Sequence, residues 1–257
     1  MAQRIDLDHV AIASTDITDI LNVLVGEFGA TPLFGGLNFG FRAMQLDCGD
    51  LRVELMEPWN VDQSDFLQRF LTSSGEGPHH LTFKTDDIRR DLENLREAGY
   101  HAVGVNLESA FWQEAFLHPK EAGGTVVQIA QSDIDPMAID LSQIPEQFRD
   151  DARGPRQWWP DPPERSPHRS ILRRVVVTTD EMQRSLGLYR DLLGGTTNAH
   201  GEGWVELVWS GGGVIRLEHA AGRTPGINRI EWTHSGATTE RDVGGARFVL
   251  YEESSSG

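Results

Sequence analysis

Apolar positions in this chain recur with two periods, and the order of those periods repeats. After His80, the run Leu81-Thr82-Phe83-Lys84-Thr85 alternates apolar and polar residues as a half-buried strand does. Asp86-Asp87 then offers a helix cap. Ile88, Leu92 and Leu95 follow at three- and four-residue steps to Ala98, and Gly99 is the stop. Three strand-like runs come next: Tyr100 to Val105, Trp112 to Leu117 and Thr125 to Ala130. The order strand–helix–strand–strand–strand makes residues 75–132 one βαβββ module.

The same order is legible over residues 5–58. Asp8 to Asp16 opens a strand, a helix is predicted from Ile17 to Phe28 with Gly29 behind it, and Asn38 to Leu46 is a strand. Gly49-Asp50 marks a tight turn into Leu51 to Glu57. Between the two modules, Phe66 to Leu71 reads as a short amphipathic helix. The signature returns at Ile171 to Asp180, followed by a helix from Glu181 to Leu193 and a hairpin of Trp204 to Trp209 and Val214 to His219. A shortened fourth module keeps Ile227 to His234 and Ala246 to Glu252, with SGATTERDVGG where the helix would be. Residues 133–170 are rich in proline and charge without a period, so they read as a crossover linker whose Trp158 and Trp159 pack along the body. The expected fold is α+β: tandem βαβββ modules forming two cup-like domains, 1–132 and 171–257.

Setting the first two modules side by side puts His9 over His80 and Glu54 over Gln128. A lone histidine on an apolar strand reads as a structural, hydrogen-bonded one. Its repeat partner and Glu54 shift the reading to a metal site. Neutral imidazoles and a carboxylate suit one divalent ion of Fe, Co, Mn, Ni or Zn, with the amide of Gln128 as the weakest ligand. His79 precedes a ligand position and is expected on the other face of its strand. In the second half the matching positions are Arg173, Arg216, Arg229 and Val249. Arginine does not give up its proton to a metal, so that half is expected to keep the scaffold and lose the ion.

Composition narrows the partners. Among 257 residues, 39 acidic against 23 basic ones give a formal charge of −16, which repels nucleic acid and anionic membranes. A small-molecule substrate remains, with a homodimer allowed. Phosphates of an acyl-CoA would need a basic patch, and none stands out in the first half. Cys48 is the single cysteine, so intrachain disulfides and thiolate clusters are excluded. MAQRIDLDHV runs into the first strand without a signal peptide, and no apolar run is long enough to span a bilayer. The expected location is the cytoplasm.

The segments LDHVAIASTDI, GDLRVELMEP, GPHHLTFKTDDI, LREAGY, FLHPK and GGTVVQIAQ resemble the vicinal oxygen chelate superfamily (glyoxalases, bleomycin-resistance proteins, extradiol dioxygenases). Within it they are most similar to the methylmalonyl-CoA epimerases. The resemblance covers roughly the first half and implies a metal-dependent isomerase or epimerase. Such an enzyme moves a proton through a metal-stabilised enolate of a carbonyl or carboxyl compound. It also implies two departures. The family's metal-binding carboxylate on the last strand is Gln128 here, and its catalytic glutamate falls near Arg42-Ala43. The substitute base is Glu114, which reads either as a solvated strand residue or as a carboxylate facing an apolar pocket. Ala43, Gln45, Trp112, Phe116 and His118 are the candidate pocket residues. Two other activities fit the superfamily: a non-haem Fe(II) dioxygenase of the extradiol type, and a metal-free drug-binding or resistance protein.

Overall fold

The structure is a computed structural model describing residues 5–38, 40–133 and 161–253; Trp158 and Trp159 lie outside the described residues. In the first half, strand β1 (Ile5–Ala13) leads to a helical segment that is α over Thr18–Leu21 (α1) and continues as a π-helix over Asn22–Glu27. Strands β2 (Thr31–Asn38), β3 (Phe41–Asp47) and β4 (Arg52–Pro58) complete the module. Helix α2 (Phe66–Ser74) follows. Then come β5 (Gly77–Thr85), α3 (Ile88–Glu97), β6 (Ala102–Asn106), β7 (Gln113–Leu117) and β8 (Val126–Gln131). These eight strands form one sheet in the order β2-β3-β4-β1-β5-β8-β7-β6. Each module contributes four strands, with its first strand beside its last.

The second half repeats the plan. Strand β9 (Ile171–Thr179) is followed by helix α4, which is α over Met182–Leu186 and π over Gly187–Leu192. Next come β10 (Thr196–Gly201), β11 (Trp204–Val208), β12 (Val214–His219), β13 (Gly226–His234), β14 (Thr239–Val243) and β15 (Ala246–Glu252). The sheet order is β10-β11-β12-β9-β13-β15-β14. The parallel pairs β5–β8 and β12–β9 each join the first and last strands of one module. Between β13 and β15 the chain forms the short strand β14 instead of a helix, so the fourth module is three strands. The fold is that of tandem βαβββ modules in two sheets.

Local chemistry explains the boundaries. The Asp87 carboxylate accepts the Arg90 backbone N–H at 3.1 Å and so caps α3. Gly99, with φ of +85°, lets the chain turn away after that helix. Gly49 has φ of +104° at the β3–β4 turn, a conformation that a side chain would strain.

By packing, the chain groups into two units, each drawing on both sequence halves. One takes residues up to Val10, His79–Asp133 and Arg173–Glu231. In it Phe83 meets Trp209 and Tyr189 with ring centroids 5.4 and 6.0 Å away. The polar tips of that cluster are satisfied. Tyr189 donates to the Ala122 carbonyl at 3.1 Å and Trp209 to the Leu193 carbonyl at 2.7 Å. The other unit includes Ala11–Pro78, the segment ending at Leu172, and the chain from Trp232 onward. Phe28, Trp232 and Phe248 pack edge to face at its core. Leu67 and Leu71 of α2 are buried against Ala11, Ala13 and Met56. Each such side chain contributes roughly 1.5–3 kcal/mol by leaving water. The described end of the linker follows this unit, with Ser166 and Ser170 donating backbone N–H groups to the Val25 and Phe28 carbonyls.

Candidate metal centre

Four consecutive strands of the first sheet, β4, β1, β5 and β8, carry Glu54, His9, His80 and Gln128. Their neighbours β3 and β7 carry Gln45 and Glu114. One ligand atom each from His9, Glu54 and His80 lies within 4.8 Å of the other two. Both imidazoles are buried, with ring centroids 5.8 Å apart. Two imidazole nitrogens and a carboxylate oxygen at this spacing fit a borderline divalent cation.

Each histidine is held from behind. The Asp8 carboxylate sits 2.7 Å from His9 Nδ1, which turns Nε2 inward. His79 Nδ1 lies 2.8 Å from His80 Nδ1. His79, expected on the far face, is therefore buried against the ligand it precedes. Burial, followed by the neighbouring His79 and His9, pushes the His80 imidazole well below the usual histidine range. A neutral ring is the ligating form.

A hydrogen-bond chain crosses the sheet at this point. Thr82, fully buried, stands directly opposite Gln128 on parallel strands. Its hydroxyl is 2.9 Å from His9 Nε2 and donates to Gln128 Oε1 at 2.6 Å. Gln128 Nε2 in turn donates to Glu114 Oε2 at 2.7 Å, and the Trp112 indole N–H donates to the same oxygen at 3.0 Å. Gln128 is also a hydrogen-bond neighbour of His80. Glu114 is half-buried and two residues from Phe116, whose partner across the ladder is Gln128, so the contact is a diagonal one on a shared face.

The other pocket candidates divide. Ala43 and Gln45 are buried on β3, and Gln45 stands opposite Glu54. The buried Gln45 Oε1 has no hydrogen-bond partner among the described residues. Trp112 and Phe116 are half-buried beside Glu114. His118 lies past the end of β7, exposed, where its Nδ1 accepts the Lys120 backbone N–H in a turn. Arg42 is tied to Glu57 at 2.6 Å and stacks 4.5 Å over Trp59. Asp8, His79 and Thr82 are the neighbours of the candidate ligands that the repeat comparison misses, because they contact those side chains and have no ligand-type counterpart to align.

The second sheet holds ion pairs at the corresponding places. Arg174 bonds Glu206 and Glu231; Arg216 bonds Glu206 at 3.1 Å; Arg229 bonds Glu218 and Glu231, each at 2.7 Å. Arg173, expected as the counterpart of His9, is exposed, and its neighbour Arg174 points to the network instead. Aligning Leu7 with Leu172 places Arg174 on His9, a one-residue shift that reverses the face. No second three-residue metal-ligand group occurs among the described residues.

Comparison with known proteins finds likeness over the first half of the sequence and in the fold. Residues 8–116 match the model of the Glyoxalase/Bleomycin resistance protein/Dioxygenase superfamily. Human mitochondrial methylmalonyl-CoA epimerase is 28% identical over 137 residues, 49% of this chain and 73% of that protein. The ethylmalonyl-CoA/methylmalonyl-CoA epimerase of Cereibacter sphaeroides is 27% identical over 133 residues, again 49% of this chain, and 96% of its own length. A solved structure of a hypothetical protein from Staphylococcus aureus matches 97% of this chain and 100% of its own with a TM-score of 0.64. At 10% identity it shows the fold alone. The resemblance read from the sequence thus stands over the first half, and no described helix is long and apolar enough to cross a membrane.

Proposed function

We propose, from the epimerase and superfamily likeness of the first half, that this chain is a metal-dependent enzyme of isomerase or epimerase type. It would act on a small carbonyl or carboxyl compound. The observation that carries the reading is the convergence of His9, Glu54 and His80 ligand atoms within 4.8 Å. A divalent ion held there supplies Lewis acidity to a substrate oxygen. His9 and His80 are buried, held from behind by Asp8 and His79, and so present preset nitrogens. Ala43, Gln45, Trp112 and Phe116 supply the walls. The proton next to the substrate carbonyl goes to the Glu114 carboxylate, which is joined to the ligand set through Gln128. Arg42, at the place of the family's glutamate, is engaged by Glu57 and takes no proton. The phosphates of a coenzyme A ester would need a basic patch that a chain of formal charge −16 disfavours, so the substrate class is a carbonyl or carboxyl compound other than methylmalonyl-CoA.

The test is exchange of the substrate α-hydrogen with solvent deuterium, followed by NMR across a panel of 2-substituted acids and ketones. Exchange should require the metal and should slow by about 10²–10⁴-fold in Glu114→Gln. Undiminished exchange in that variant removes Glu114 from the step. The two-histidine, one-carboxylate set also supports a second reading, an Fe(II) dioxygenase. Stoichiometric oxygen uptake with a catechol would favour it over the isomerase.

A further inference from the structure

An amide has two unlike ends, and a ligand amide is useful only with its oxygen turned to the ion. In this site both ends of Gln128 are addressed by other side chains. Thr82 Oγ1 donates to Oε1 at 2.6 Å, while Glu114 Oε2 accepts from Nε2 at 2.7 Å. The reversed amide would set its oxygen 2.7 Å from a carboxylate oxygen, two acceptors with no proton between them. The Trp112 indole N–H, also on Glu114 Oε2 at 3.0 Å, fixes the carboxylate that does the selecting. The oxygen end of Gln128 is therefore the end next to Thr82, the residue that also reaches His9 Nε2.

We infer that Glu114 is the positioning residue for Gln128: it holds the amide nitrogen away from the cluster and so presents Oε1 to a divalent ion as a fourth donor. The inference rests on the metal reading above but concerns a separate act of Glu114. A carboxylate at residue 128 would offer an oxygen whichever way it turned and would need no such partner. An amide there needs one, and β7 provides it on the adjacent strand. The pairing also says which variants are interchangeable. Glutamine at 114 still has an oxygen to accept the Gln128 N–H, so it keeps the orientation while losing the base. Alanine loses both.

The experiment uses the full chain loaded with Co(II), with affinity read by competition against a chelator and geometry read from the visible absorption bands. Glu114→Ala should weaken Co(II) binding by about 10–100-fold and alter the bands, as loss of a partner that orients a ligand does. Glu114→Gln should stay within about threefold of wild type. The decisive arm is Glu114→Ala combined with Gln128→Glu, which should recover both affinity and spectrum. Gln128→Glu alone should bind more weakly than this double variant, because it sets two carboxylates side by side. If Glu114→Ala folds poorly, Glu114→Leu replaces it in the same comparison. Unchanged affinity on losing the carboxylate, or no recovery in the double variant, overturns the inference while leaving the metal reading intact. A wild-type chain that takes up no ion overturns both.

Discussion

Gln45 and His80 show how single residues in this site trade stability for chemistry. Gln45 is buried opposite Glu54 with Oε1 lacking a partner among the described residues, a state that costs about 1–3 kcal/mol. Gln45→Leu should therefore raise the stability of the ligand-free protein by roughly 1 kcal/mol. Urea unfolding measures it, and a loss of stability would show that the amide is satisfied. His80 is kept neutral by burial and by its histidine neighbours, which suits ligation and makes it a poor proton carrier. The candidate ligands His9, Glu54, His80 and Gln128 could be read from the chain because the module repeats and ligand types fall on equivalent points. Thr82, Asp8 and His79 could not. Their roles depend on which neighbour each ring nitrogen faces, and spacing carries no record of that.

At the scale of elements, α3 was the most legible because every cue agrees: a capping aspartate, a three- and four-residue apolar step, and a glycine stop. Its cap gives a direct test. Asp87→Ala should cost about 1 kcal/mol, measurable in a thermal or urea melt, while Asp86→Ala, outside the cap, should cost less. Strand β2 was not legible, since Thr31-Pro32-Leu33-Phe34-Gly35-Gly36 has neither alternation nor a strong strand former at every second place. The sequence predicts one helix each for the first and third modules, over Ile17 to Phe28 and Glu181 to Leu193. In each, the later part is a π-helix, over Asn22–Glu27 and Gly187–Leu192. A one-residue widening of the turn leaves apolar spacing nearly unchanged, so the pattern that locates the helix does not report it. Strand β14 lay hidden for a similar reason, because Thr-Glu-Arg-Asp-Val is polar on both faces.

Across the molecule, two sheets with one plan hold different centres. Where the first carries candidate ligands, the second carries Arg174, Arg216 and Arg229 balanced by Glu206, Glu218 and Glu231. Burial draws Glu206 and Glu218 upward, but bonds from Asn198 and Arg174 to Glu206, and from Arg229 and Arg223 to Glu218, hold both below their ordinary value of 4.5. Carboxyls with depressed folded values stabilise fully above the unfolded value and lose that contribution as pH falls through the folded one. The melting temperature should accordingly fall as pH drops below about 4.5, and less steeply in Glu206→Gln. Equal slopes in the two proteins would separate acid sensitivity from this network. The asymmetry between the sheets also frames the most direct test of the whole account, which is metal content per chain. Purified wild type and Arg229→Ala should each carry about one divalent ion, and His80→Ala should carry none in stoichiometric amount. Equal metal in wild type and His80→Ala would contradict the assignment of the centre.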